Sequence, residues 1–288
     1  PFRTSTWAYL RDVVRHGLTV GLSLYGRWPR QRAAGRERER LVLLSKLYEL
    51  IGLIAYLNGN SLLLASIGVR AMDAAQRIGP SPELVRAHCN YAILGTFLSW
   101  PKLVGWHIRQ ATILANRLEE PGLSATVAFS RAVSSHMLGR SREAERLMTR
   151  CLEDRIQLLD LVQYAQGCND LAWNLYMRGY TSEAWQWVQR GLQRLEQTAL
   201  QRTETMYLNM WAAPLLLILG NVLQADEHAR QVEAIMGRSQ VDPARLSAYL
   251  CAQMIGLLEQ NELGQPLEDV LGQFRRLRQN SPRRATFH

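Results

Sequence analysis

The chain has 288 residues, of which 47% are hydrophobic and 20% are charged. This length exceeds what one compact core usually holds, and it suits two domains or one elongated array. No apolar run approaches the roughly 18 residues that a membrane-spanning helix needs, the nearest being "WAAPLLLILG" at 211–220. No transmembrane segment is therefore expected.

The net charge of +9 is concentrated at the two ends of the chain. Residues 1–40 carry a net charge of +6 and residues 270–288 carry +5, which leaves the residues between them slightly acidic. A basic surface can attract nucleic acid. These cations do not recur on one repeated face, however, and 32 of the 34 are arginine, as a coding bias would produce. Nucleic acid is therefore not an expected partner.

The first 35 residues are predicted to form a capping helix and an Arg-rich connector. Helical spacing places six apolar residues on one face: Trp7, Leu10, Val14, Leu18, Leu22 and Tyr25. This face either covers the exposed end of the following array, since end repeats need covers, or lies on an anionic membrane surface. Gly17, Gly21 and Gly26 weaken a free amphipathic helix and favour the cap.

Three later segments share one arrangement: "LGRSREAERLMTRCL", "RGYTSEAWQWVQRGL" and "LGNVLQADEHARQVE". Each contains a turn glycine, with an alanine seven residues before it and another five residues after it. The glycines are Gly139, Gly179 and Gly220, and the alanines are Ala132 and Ala144, Ala172 and Ala184, and Ala213 and Ala225. Weaker copies place turn centres near 60, 100 and 264 as well. The chain therefore repeats with a period of about 40 residues.

Between the turns, apolar residues follow steps of three and four, and no stretch alternates with the period of a strand. Each repeat is therefore predicted to be a helix, a tight turn and a second, antiparallel helix that meets the first at small residues. Ser141 and Ser182 stand where the second helices would have their N-caps. Gly and Pro at 77–84, 118–123 and 239–246 predict the boundaries between successive repeats.

These offsets resemble the tetratricopeptide repeat, clearly over 125–236 and more loosely over 40–124 and 243–280. The resemblance implies an all-α, right-handed superhelical solenoid of about six antiparallel helix pairs, over residues 36–280, with a basic tail at 281–288. Long repeats of this kind are similar to the C-terminal sensor regions of bacterial multidomain signalling ATPases and nucleotide cyclases. "GPSPELVRAHCNYAILG" and "RWPRQRAAGRERERL" carry that second resemblance.

The tetratricopeptide resemblance implies a concave groove lined by the first helix of each repeat. The family's groove offsets fall on Asn90, Leu94 and Phe97 in the second repeat, Phe129, Val133 and His136 in the third, Asn169, Trp173 and Tyr176 in the fourth, and Tyr207, Met210 and Pro214 in the fifth. Aromatic side chains beside amides suit peptide capture. The alternative is that such residues, Phe97 and Phe129 above all, pack between adjacent repeats.

No sequence motif indicates catalysis. The chain has no GxxxxGK[ST], HExxH, CxxC or nucleophile-elbow motif, and its six histidines are dispersed. We therefore expect no enzyme activity, no cofactor and no metal site, and we interpret the four cysteines as buried thiols. The sequence predicts a cytoplasmic scaffold or sensor that binds a protein or peptide, or other domains of its own polypeptide. The alternative is a nucleic-acid-binding or enzyme-associated helical protein that uses its Arg-rich ends.

Overall fold

The computed structural model describes residues 6–24, 31–57, 60–196, 202–236 and 268–273. These residues are almost entirely helical, and none of them lies in a strand. The helices are α1 (Thr6–Leu24), α2 (Gly35–Leu57), α3 (Ser61–Ile78), α4 (Pro82–Phe97), α5 (Pro101–Leu118), α6 (Pro121–Met137), α7 (Ser141–Asp154), α8 (Leu161–Tyr176), α9 (Thr181–Glu196), α10 (Arg202–Ile218) and α11 (Val222–Met236).

The chain divides into two compact units, residues 1–159 and 160–288. In unit 1, α2 pairs with α3, α4 with α5, and α6 with α7, and α1 packs against α3. In unit 2, α8 pairs with α9 and α10 with α11. Five of the six predicted helix pairs are confirmed, together with their turns. The sixth turn, near Gly264, the boundary at 239–246 and the tail at 281–288 lie outside the described residues.

The same backbone hydrogen bond closes the turn inside every described pair. The N–H of the residue before the second helix donates to a carbonyl five residues earlier, for example from Arg140 to Ser135 at 2.9 Å and from Tyr180 to Leu175 at 3.0 Å. The residue before each of these donors has a positive φ, +72° at Gly139 and +83° at Gly179. A left-handed residue is what this type of helix end requires, which explains the repeated glycine.

The turn near residue 100 shifts the predicted register by one position. Its closing bond runs from the Trp100 N–H to the Gly95 carbonyl, at 3.1 Å, and the residue with positive φ is Ser99, at +49°. Ser99, not Trp100, is therefore the counterpart of Gly139. The bond from Asn60 to Ala55 shifts the first pair in the same way. The correction places Ala92 and Gly52 seven residues before the turn centre, where small residues belong.

The predicted N-caps Ser141 and Ser182 are wrong. Arg140 is the cap residue of α7 and makes no side-chain capping bond, and α9 begins at Thr181, before Ser182. The reason is the tight turn itself. The N–H that closes the first helix of a pair belongs to the residue just before the second helix, so the cap position is Arg140 in the third pair, one residue before the predicted Ser141.

Small residues mark the close approach of helices, as predicted. Ala172 on α8 and Ala184 on α9 are both fully buried. Gly191 has even less room, because a Cβ atom built there would lie 2.7 Å from Leu208 Cδ1 on α10. Cys89, Cys151 and Cys168 are buried free thiols, as predicted, and Cys251 lies outside the described residues.

The structure leaves the predicted apolar face of α1 uncovered. Trp7, Leu10, Val14 and Leu18 are exposed, while Tyr25 and the side chain of Leu22 lie outside the described part. Instead, α1 contacts the first pair through another face. Val20 is buried against Met72, Ala75 and Ala87, and His16 Nδ1 lies 3.6 Å from Asp73 Oδ2.

Candidate functional site

In unit 1, the predicted groove residues Asn90 and Phe97 on α4 are exposed and Leu94 is half-buried, whereas those on α6 are partly or fully covered. Asn90 is exposed, and Phe97 exposes 54% of its surface beside the turn. Phe129 is buried and His136 is half-buried. In the corrected register, Asn90 and Phe97 stand one residue beyond the counterparts of Asn169 and Tyr176, which places them about 100° further around the helix.

Asn169 on α8 is the most unusual of the predicted residues in unit 2. Its side chain is buried, with only 4% exposed. The amide Nδ2 donates to Asp170 Oδ1 at 3.2 Å, but Oδ1 has no hydrogen-bond partner within the described residues. A buried carbonyl oxygen without a donor carries a desolvation penalty of about 1–3 kcal/mol. Because the oxygen is buried, a bound molecule reaches it only if the Asn169 side chain turns outward.

Trp173 and Tyr176 follow Asn169 on the same face of α8, at steps of four and three. Both are half-buried, and both contact Trp211 of α10, with ring centroids 5.5 Å and 5.7 Å apart. Tilted ring pairs at these distances are favourable beyond the area that they bury. The predicted anchors therefore belong to an aromatic cluster between successive first helices, and they retain partial exposure.

The remaining predicted residues in unit 2, Tyr207, Met210 and Pro214, are buried on α10. Burial at these three positions favours packing between the helices of unit 2 over direct exposure to a ligand. The exposed part of the unit 2 candidate site is thus provided by Trp173 and Tyr176 on α8. Whether any of the predicted residues contacts a ligand stays a prediction.

A buried histidine pair inside unit 1 was not singled out from the sequence. His88 Nδ1 on α4 lies 2.9 Å from His107 Nδ1 on α5, and Trp106 packs edge-on to both rings. One of the two nitrogens must donate and the other accept, so this bond needs a neutral ring. Burial lowers the pKa of His88 to about 4. Burial, together with the neighbouring His88, lowers the pKa of His107 to about 3.

Unit 2 contains a contact at the same two positions. Asn209 Oδ1 on α10 lies 2.7 Å from His228 Nδ1 on α11, and burial lowers the pKa of His228. Both pairs are 19 residues apart and start at the same distance before the turn. This recurrence in the sequence was the signal that could have identified them as contacts between the two helices of a pair.

No group of three or more His, Cys, Asp or Glu side chains in the described parts of the chain is arranged to hold a metal ion. Among the described helices, none is long and apolar enough to cross a membrane.

The helix pairs, their turn geometry and their small-residue contacts define the described chain as an all-α array of tetratricopeptide-like helix pairs.

No protein-family model matches the sequence, and no curated protein sequence matches it either. Solved structures do match. BtubC (BKLC) from P. vanneervenii is 17% identical, with a TM-score of 0.56, over 88% of this chain and 98% of that one. The pilF protein of Pseudomonas aeruginosa is 16% identical, with a TM-score of 0.51, over 84% of this chain and 95% of that one. At these identities the likeness shows the fold alone.

Proposed function

We propose that the array is a non-catalytic scaffold that binds a segment of another protein on the face of α8 formed by Asn169, Trp173 and Tyr176. The observation that carries the proposal is the pair of partly exposed rings of Trp173 and Tyr176, which both contact Trp211. Asn169 Oδ1 is buried and has no donor among the described residues, so a turn of this side chain toward the ligand would let it accept a peptide N–H and remove its desolvation penalty.

The neighbouring aromatic rings supply the contact area that a single hydrogen bond lacks. The ring of Trp211 contacts those of Trp173 and Tyr176, so both rings are already ordered before a ligand arrives. Ordered aromatic side chains lose little conformational entropy on binding and are frequent hot spots of protein interfaces. The combination of fixed rings and one unsatisfied acceptor suits an extended peptide with an apolar side chain.

The proposal can be tested with a peptide selected from a displayed library against the full chain. Trp173→Ala should weaken its binding by roughly thirtyfold, the usual effect of truncating an interface anchor. Asn169→Ala should also weaken binding while leaving the aromatic cluster in place. The matched control is Trp185→Ala, since Trp185 on α9 is half-buried against His228 instead. Unchanged affinity in Trp173→Ala and Asn169→Ala, with intact circular dichroism, would remove this face from consideration.

Salt dependence separates this function from binding of nucleic acid through the Arg-rich ends. Phosphate contacts release counterions, so affinity for nucleic acid falls steeply as salt rises. A peptide held by aromatic rings and one neutral acceptor should lose little affinity over the same range. A steep salt dependence, unaffected by Trp173→Ala, would favour the nucleic-acid alternative.

We further propose that the array is the regulatory repeat region of a larger cytoplasmic bacterial signalling protein. The resemblance of "GPSPELVRAHCNYAILG" and "RWPRQRAAGRERERL" to segments of such proteins supports this proposal. In that setting the ligand on α8 is either a separate protein or another domain of the same polypeptide. If Trp173→Ala leaves the output of the full-length protein unchanged both with and without the selected peptide, the regulatory role is wrong.

A further inference from the structure

The helix α1 presents an apolar face to solvent. Trp7, Val14 and Leu18 expose 79%, 60% and 64% of their surfaces, and Leu10 is exposed as well. At about 100° per residue, these four side chains fall within an arc of about 80° around the helix. A cluster of apolar side chains left in water on a protein surface commonly marks an interaction site.

The contacts of α1 with the rest of unit 1 use its other side. Val20 is buried against Met72 and Ala75 of α3, and His16 Nδ1 lies 3.6 Å from Asp73 Oδ2. Val20 and His16 stand about 120–160° around the helix from the centre of the apolar face. The apolar face therefore points away from α3 and does not cap the first helix pair.

The glycines of α1 do not oppose a surface role for this helix. Glycine destabilises an isolated helix, but α1 is held in place by its contacts with α3. A Cβ atom added at Gly17 or Gly21 would have nothing within 4 Å. Neither glycine is therefore needed for close approach to another helix.

Basic side chains border the apolar face. Arg11 and Arg15 are exposed, and they stand about 40° and about 80° around the helix from Trp7. Residues 1–32 contain six arginines and one acidic residue, Asp12, which gives a net charge of +5. The surroundings of the apolar face therefore attract an anionic partner.

An anionic lipid surface matches both the apolar face and the charge beside it. Helices that lie in the membrane interface carry Trp and Leu on one face and arginine next to it. The phosphates of a nucleic acid would pair with the arginines but would leave Trp7, Val14 and Leu18 in water. A second copy of α1 would cover these apolar side chains but would bring a second set of arginines to the same surface.

We propose that α1 docks the protein on the surface of an anionic membrane. The four apolar side chains of the exposed face enter the membrane at the level of the lipid headgroups, and Arg11 and Arg15 bind lipid phosphates. The helix lies along the membrane, because its other side contacts α3. One helix face supplies a limited apolar area, so the attachment is reversible.

Vesicle flotation of the full chain tests the proposal. The vesicles contain phosphatidylcholine alone, or phosphatidylcholine with about 30% phosphatidylglycerol as the anionic lipid. The parent should float with the anionic vesicles and remain largely unbound with the neutral ones.

Val14→Asp/Leu18→Asp should weaken binding to the anionic vesicles by about a hundredfold, because two inserted side chains are lost. The matched control is Leu43→Asp/Leu50→Asp. It places the same two charges at similarly exposed side chains of α2, which expose 67% and 60% of their surfaces, and it should bind like the parent.

A charge variant keeps the apolar face intact. Arg11→Gln/Arg15→Gln should weaken binding to the anionic vesicles by about tenfold or more, since each arginine near such a surface contributes roughly fivefold to the affinity. Every substituted side chain in these variants is exposed, so circular dichroism should match that of the parent.

A parent that fails to float with anionic vesicles at about 1 mM lipid would overturn the proposal and leave the face for a protein partner. Equal flotation with neutral vesicles would overturn it too. Binding that survives in Val14→Asp/Leu18→Asp would indicate attraction by charge alone, and an equal loss in the α2 control would show that the effect is not specific to α1. Either result contradicts docking through this face.

Discussion

At the scale of single residues, the buried polar contacts follow the repeat as closely as the apolar ones do. His88 with His107, and Asn209 with His228, occupy the same two positions in their helix pairs. Each contact satisfies a polar group that the approach of the two helices removes from water. Asn169 and Asn209 each leave one amide atom without a partner among the described residues, Oδ1 in Asn169 and Nδ2 in Asn209. Asn169 is the candidate ligand contact because it shares its helix face with the partly exposed rings of Trp173 and Tyr176.

The histidine pair makes stability depend on pH. His88 and His107 have folded-state pKa values of about 4 and about 3, below the ordinary value of 6.5. Below pH 6.5 the unfolded chain binds more protons than the folded one, so the pair's contribution is complete above pH 6.5 and is lost as pH falls toward 4. We expect the free energy of unfolding to fall by on the order of 1 kcal/mol per pH unit for each histidine below pH 6. Urea titrations at several pH values measure this.

The control for this prediction is His88→Asn/His107→Asn, which retains a hydrogen bond near the Nδ1 positions without a titrating ring. Its stability should vary less between pH 6.5 and pH 4.5. Glu49 acts in the opposite sense in this range, because burial raises its pKa, and the comparison with the double variant removes that contribution. An equal slope in the two proteins would show that the pair does not control acid stability.

At the scale of helices, the space around a glycine decides whether a side chain is tolerated. At Gly191 on α9, an added Cβ would lie 2.7 Å from Leu208 Cδ1 and 3.2 Å from Cys168 Cβ, and both residues are fully buried. Gly191→Ala should therefore destabilise the protein by roughly 1–3 kcal/mol through overpacking. Chemical denaturation followed by circular dichroism is the measurement.

Gly105 on α5 provides the matched comparison, because nothing lies within 4 Å of its added Cβ. Gly105→Ala should stabilise the protein by about 0.5–1 kcal/mol, since alanine restricts the unfolded chain and favours the helix. If both substitutions shift stability in the same direction, the close approach of α8, α9 and α10 at Gly191 is wrong.

At the scale of the whole molecule, helix pairs contact their neighbours along the chain within each unit, so a local change should have local consequences. Gly191→Ala is expected to lower hydrogen-exchange protection in α8, α9 and α10 of unit 2 while protection in α4, α5 and α6 of unit 1 stays as in the parent. Exchange followed by mass spectrometry reports both units in one sample. An equal loss of protection in both units would instead indicate one cooperative structure.

The sequence by itself determined the all-α class, the period of about 40 residues and the positions of the turns. These features are local: steps of three and four define a helix face, and a left-handed turn residue selects glycine wherever it recurs. The same reasoning failed by one position where Ser99 replaces glycine, which misplaced Asn90 and Phe97 relative to Asn169 and Tyr176.

The tertiary structure decided which faces are covered. Leu47 of α2 and Leu208 of α10 stand at the same position of their helix pairs, and nothing local distinguishes them. Leu47 is nevertheless exposed, whereas Leu208 is buried. The exposed face of α1 and the unsatisfied oxygen of Asn169 were hidden from the sequence in the same way. The physical reason is that a helical period specifies which residues share a face, whereas burial depends on whether another helix reaches that face.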